Sequence, residues 1–124
     1  MPASQPLSPR RFFVSRHAGA TEWAKRYHWS VRTLFVPHLD VGAIAPGDVV
    51  IGNLPVHLAA KVCALGARYL HLTVDLLEHQ RGAELSADQM EAAGAHLVAY
   101  RILIDNDAPG PQLPHSGQRH GIIR

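Results

Sequence analysis

The stretch 48–75, DVVIGNLPVHLAAKVCALGARYLHLTVD, constrains the fold more than any other part of the chain. DVVIG (48–52) is a continuous apolar, β-branched run. That is the pattern of a strand covered on both faces, as in a parallel sheet. Asn-Leu-Pro follows, with Pro55 suited to the first turn of a helix and Asn53 to a cap before it. PVHLAAKVCALG (55–66) predicts a helix closed by Gly66. RYLHLTVD (68–75) predicts the next strand. Strand, helix and strand in that order form a crossover unit of a parallel sheet.

The flanking segments extend this unit. RFFVS (11–15) reads as a short buried strand, Gly19 marks a turn, and ATEWAKRYHW (20–29) has helical character. Trp23 and Tyr27 lie four apart on one face of that helix. VRTLFV (31–36) predicts a strand stopped by Pro37, and Pro46, Gly47 and Asp48 a turn. HQRGAE (79–84) reads as a loop. Ser86 and Gln89 form a capping box for a final helix, SADQMEAAGAHLVAYRIL (86–103). The order implies an α/β fold: a small Rossmann-like domain with a mainly parallel central sheet of about four strands flanked by helices. At 124 residues the chain suits one domain, expected over 11–104. Residues 1–10 are expected to be a flexible leader and the Pro- and Gly-rich 105–124 a disordered tail.

Composition narrows the partners. The longest apolar runs are too short to span a bilayer, and MPASQPLSPRR has no apolar signal region. With one cysteine, Cys63, no intramolecular disulfide forms, and a cytoplasmic setting is expected. Net charge is +2, but it is unevenly placed. Arg10, Arg11, Arg16, Lys25, Arg26 and Arg32 all precede Asp40, opposed only by Glu22. One end of the molecule therefore offers a positive field to a phosphate-bearing ligand.

In open α/β sheets ligands bind outside the carboxyl ends of the strands. Three features fall there: Ser15, Arg16 and His17 after the first strand, Gly52 and Asn53 after the third, and 73–75 after the fourth. Arg16 supplies a planar fork matched to phosphate oxygens, Ser15 a hydroxyl, and His17 a proton carrier near neutral pH. The turn expected at Gly19 would present backbone N–H groups to an anion. Gly52 permits close approach of a ligand to the 52–55 segment, where Asn53, Leu54 and Pro55 open a helix. Asp75, Glu78, His79 and Arg81 form a polar loop near the same rim, as a second acid/base set or simply a solvated loop. His71 reads as a satisfied strand histidine, Cys63 as core and Lys61 as surface. Nine histidines are present, yet no metal-binding spacing joins them, so neither a metal nor another cofactor is expected.

Residues 13–26, FVSRHAGATEWAKR, are similar to the opening of the histidine phosphatases, where Arg-His-Gly ends a strand and Glu-Trp follows. Here Ala18 separates His17 from Gly19, and the chain is shorter than those enzymes require. A phosphotransfer enzyme of that type is the weaker reading.

A second resemblance covers about residues 12–101. SRHAGATEWA, HLD (38–40), PGDVVIGNLPVHLAAKVCALGARYLHLTVDL (46–76) and RGAELSADQMEAAGAHL (81–97) together resemble the Csx-sixteen, or VVA-type, CRISPR-associated family of type III systems. The resemblance implies a ring nuclease that cleaves cyclic oligoadenylate, cyclic tetra-adenylate above all, and so ends antiviral signalling. It adds His38 and Arg81 to the positions expected to bind ligand and carries no established catalytic residues. The expected chemistry is metal-independent attack of a ribose 2′-hydroxyl, giving linear products with a 2′,3′-cyclic phosphate. Arg16, His17 and Ser15 are the expected catalytic groups. A four-phosphate ring suits a homodimer; neither DNA nor membrane is an expected partner. The alternative from another class is a module that binds or senses the ring without cutting it.

Overall fold

The computed structural model describes residues 9–27, 32–76 and 82–106. The crossover unit is present: β3 (Val49–Gly52) leads into α2 (Val56–Ala64) and then β4 (Arg68–Thr73). Before it lie β1 (Arg11–Val14), α1 (Ala18–Lys25), β2 (Thr33–Val36) and a 3-10 turn at Val41–Ala43. After it come α3 (Ala87–Ala92) and β5 (His96–Tyr100). The strands form one sheet in the order β2-β1-β3-β4-β5. The first four are parallel, and β5 runs antiparallel to β4 with His71 opposite Val98. The expected α/β architecture is therefore present, with five strands in place of about four.

Alternation along the strands sorts the core into two layers. Phe13, Ile51 and Leu72 face α1 and α3, where they meet Ala20, Trp23, Ala24, Ala87 and Met90. Phe12, Val50 and Tyr69 face α2 and meet Ala59 and Val62. Both faces of the central strands are covered, which is why DVVIG carries no polar alternation. Trp23 also ties α1 to α3, its indole N–H donating to Glu91 Oε1 at 2.8 Å, where the Tyr27 hydroxyl donates as well.

The turn into β3 is fastened by a buried carboxylate. Asp48 is 4% exposed and its Oδ2 accepts from Arg10 Nη2 at 2.7 Å and from the Ala45 amide at 2.8 Å. Burial alone would push this carboxyl up. The Arg10 guanidinium and the amides of Ala45 and Arg10 outweigh it and hold the group below its ordinary value.

Three sequence expectations need correction. The helix expected over 86–103 stops at Ala92, and HLVAY is β5. The cause is Gly94, at φ +76°, with the Ala95 amide bonded to the Met90 carbonyl at 3.0 Å, a left-handed helix stop. Gly19 lies inside α1, not in a turn. Its missing side chain lets α1 touch the chain before α3, since a Cβ there would fall 1.8 Å from the Leu85 carbonyl oxygen. Asn53 does not cap α2; Pro55 occupies the cap position and no side chain bonds there. The expected leader and tail fall outside the described residues over 1–8 and 107–124, as do Glu78, His79 and Arg81. Among the described residues, no helix is long and apolar enough to cross a membrane.

Candidate functional site

Chain order dictates where a cleft can open. From β1 the chain moves to β2 on one side, then returns to place β3 on the other. The loops leaving β1 and β3 therefore diverge to opposite faces of the sheet, and a crevice opens between them. A cleft of about 690 Å³ lies there. Its rim carries Ser15, Arg16, His17, His38 and Asn53, and its floor includes Leu54, Leu58, Leu72 and Met90. No Asp or Glu is among its described lining residues. A shallower groove of about 530 Å³ shares Ser15, Arg16 and His17 and runs on between Glu22, Lys25 and Phe35.

The β1–α1 loop is shaped by its own residues. Ser15 Oγ accepts the His17 amide at 3.0 Å, which fixes the turn and leaves the hydroxyl proton free to donate elsewhere. His17 holds the cap position of α1 without a side-chain cap. No side chain caps the first turns of α1 and α2, which leaves amides there for an anion, although the Leu58 amide of α2 donates to the Pro55 carbonyl at 3.0 Å; α3 is closed by the Ser86–Gln89 capping box. Arg16 is exposed and forms no ion pair among the described residues. His17 Nδ1 lies 2.7 Å from Glu84 Oε2, a pair 67 residues apart in the chain and open to solvent on both sides.

The β3–α2 loop is held from below by Tyr69. Its hydroxyl lies 3.0 Å from the Gly52 carbonyl, 2.9 Å from the Leu54 amide and 2.7 Å from His71 Nδ1. One arrangement satisfies all three. The hydroxyl donates to Gly52 O and accepts from Leu54 N–H and from a protonated His71 Nδ1. Burial pushes the Tyr69 hydroxyl up, which keeps that proton in place. His71 is thereby the satisfied strand histidine expected from its position. Gly52 is required because a Cβ there would fall 2.7 Å from the Val14 carbonyl oxygen on the neighbouring strand.

Most of the expected site residues meet in this cleft: Ser15, Arg16, His17, His38, Gly52, Asn53, Leu54 and Pro55. Gly19 and Asp75 do not line it; Gly19 supports α1 against Leu85, and the Asp75 carboxylate lies near Gly94. Arg81 lies outside the described residues. Sequence reasoning missed Glu84 and Tyr69. Neither carries a local signal, because each acts on a residue brought to it only by the fold. Among the described residues, no group of three His, Cys, Asp or Glu side chains comes together as a metal site.

This arrangement suits an anionic ligand with an apolar part. Arg16, two imidazoles and helix amides would meet the charge, and the leucine-rich floor would take a flat or apolar group. No curated protein and no solved structure matches the chain significantly. Residues 12–103 match the family described as "Putative CRISPR-associated protein (Cas_VVA1548)". The match spans both cleft-forming loops and every strand but the first residue of β1, and the chain belongs to this CRISPR-associated family.

Proposed function

We propose that the protein is a ring nuclease that opens cyclic oligoadenylate, cyclic tetra-adenylate in particular. The observation that carries this reading is the cleft at the reversal of strand order, with Arg16, His17 and His38 on its rim and no carboxylate among its described lining residues. Membership of a CRISPR-associated family supports a role in antiviral defence, and signalling by type III systems is the setting that this reading gives it. The apolar floor favours a ligand that carries bases as well as phosphates.

The chemistry asks little of the protein beyond placement and charge. A ribose 2′-oxygen attacks the adjacent phosphorus, and the 5′-oxygen leaves in line, producing a 2′,3′-cyclic phosphate. Arg16 neutralises the extra charge on the five-coordinate phosphorus, and the Ser15 hydroxyl orients a non-bridging oxygen. His17 transfers a proton. A tetranucleotide ring is more than twice the mass of the drug-sized ligands that clefts of about 300–1,000 Å³ enclose. One chain therefore covers about half of it, and two chains related by a two-fold axis would cover the rest.

Purified protein is incubated at excess over cyclic tetra-adenylate with EDTA, and products are separated by chromatography. Linear products ending in 2′,3′-cyclic phosphate are expected. A ring that stays intact refutes the nuclease; an intact ring held tightly by the protein supports a binding module instead.

A further inference from the structure

Opening the ring by 2′-hydroxyl attack moves two protons. One leaves the attacking 2′-oxygen, and another must reach the departing 5′-oxygen. Among the described residues lining the cleft, only His17 and His38 carry groups that exchange protons readily near neutral pH. They hang from equivalent points of adjacent strands. Val14 of β1 pairs with Val36 of β2, and the two histidines follow three and two residues later. Parallel neighbours lie only about 5 Å apart, so both imidazoles start from one edge of the cleft.

Their surroundings differ. His17 is tied through Nδ1 to Glu84 Oε2 at 2.7 Å. An Nδ1–H donated to a carboxylate leaves Nε2 of a neutral imidazole as the acceptor, the form that a base requires. Arg16 adjoins His17, and Glu22 and Lys25 share the neighbouring groove with it. His38 has no hydrogen-bond partner among the described residues, and shares the cleft with Arg16 and His17. The Asp40 carboxylate, two residues on, is engaged by the Gly42 amide at 3.0 Å.

Resting on the nuclease reading above, we infer that His17 and His38 form an acid–base couple, and that Glu84 is the positioning residue of the base. His17 Nε2 takes the 2′-hydroxyl proton as the 2′-O–P bond forms. The imidazolium of His38 gives its proton to the 5′-oxygen as the P–O5′ bond breaks. Both imidazoles exchange charge states, and water restores them before the next turnover. Arg16 keeps its charge throughout.

Single-turnover cleavage of cyclic tetra-adenylate is measured across pH 5–9 for the wild type, His17→Ala, His38→Ala, His38→Gln, Glu84→Gln and Glu84→Ala. A second substrate carries sulfur in place of one bridging 5′-oxygen; this leaving group needs no proton. The wild type is expected to give a bell-shaped profile. His38→Ala and His38→Gln are expected to lose about 10²–10⁴-fold on the oxygen ring and to lose the alkaline limb. Both variants are expected to recover to within about tenfold of wild type on the sulfur ring. His17→Ala is expected to lose the acid limb and gain nothing from sulfur. Glu84→Gln, which still accepts from Nδ1, is expected to keep the bell and most of the rate, whereas Glu84→Ala is expected to slow the oxygen and sulfur rings alike.

Wild-type cleavage with an unaltered His38→Ala profile overturns the couple while leaving the nuclease in place. Rescue of His17→Ala by sulfur overturns the assignment of roles. An intact ring with wild-type protein overturns both readings. His38 is exposed, so its variants are expected to keep the wild-type melting temperature; a lost rate that follows lost folding counts against the couple.

Discussion

Tyr69 shows how one hydroxyl can organise a site that it does not enter. It joins the last residue of β3 to the amide of Leu54, across the loop that opens onto the cleft. In Tyr69→Phe the ring still fills its place between Val50 and Val62, so the loss is polar rather than packing. The Leu54 amide and the Gly52 carbonyl lose their partner, at a cost of about 1–3 kcal/mol in urea unfolding. Ligand affinity falls with it, because Asn53 and the first turn of α2 are no longer fixed. Asp48 has a different signature. Its carboxyl sits below its ordinary value, so its contribution to stability is complete above the unfolded-state value and disappears as pH falls through the folded one. Thermal melts between pH 7 and pH 2 are expected to show wild-type stability dropping below about pH 4. Asp48→Asn is expected to be less stable at pH 7 and to lose most of its difference from wild type at the acid end.

At the scale of elements, two glycines close helices in the same way and only one was legible. Gly66 follows α2 at φ +88°, with the Ala67 amide on the Val62 carbonyl at 3.3 Å. Gly94 follows α3 at φ +76°, with the Ala95 amide on the Met90 carbonyl at 3.0 Å. Leu-Gly-Ala precedes an evident strand in the first case. Ala-Gly-Ala stands between alanine-rich neighbours of high helix propensity in the second, and that propensity masked both the stop and the alternation of HLVAY. The β3–α2–β4 unit was readable because every signal in it is local. That Ser15, Arg16, His17 and the 52–55 loop line one cleft was readable because all of them follow the carboxyl ends of neighbouring parallel strands. Glu84 was not, since its pairing with His17 exists only after α1 and α3 pack. Gly94→Ala is expected to cost about 1 kcal/mol, the penalty of a left-handed conformation for a residue with a side chain. Gly19→Ala sets two effects against each other. Alanine favours a helix over glycine by about 1 kcal/mol. The new methyl, however, would meet backbone at Leu85, which has no rotamer to yield. Overpacking costs about 1–3 kcal/mol, so net destabilisation is expected from Gly19→Ala in chemical unfolding.

At the scale of the whole molecule, the cleft and the charge distribution bear on one quantity, the number of phosphates that one chain can engage. The basic N-terminal part of the chain contributes Arg16 to the rim, while Arg10 is spent on Asp48 and Arg26 on Asp88 at 2.9 Å. A single cleft thus offers one unpaired guanidinium and two sets of helix amides, enough for one or two phosphates of a four-phosphate ring. If two chains close on one ring, the same groups of the second chain meet the phosphates that the first leaves open, and binding releases counterions from both halves. Native mass spectrometry is then expected to show two chains per cyclic tetra-adenylate, with the pairing strengthened by ligand. The logarithm of the binding constant is expected to fall with log salt at about 0.7 per phosphate neutralised by a cation, so a ring held between two Arg16 side chains gives a slope of about −1.4. Arg16→Ala removes one cation from each chain and is expected to shallow that slope by more than one unit, with two chains still bound per ring. A one-to-one complex with a slope of about −0.7 would mean that a single chain grips one phosphate, and the two-fold arrangement would fall.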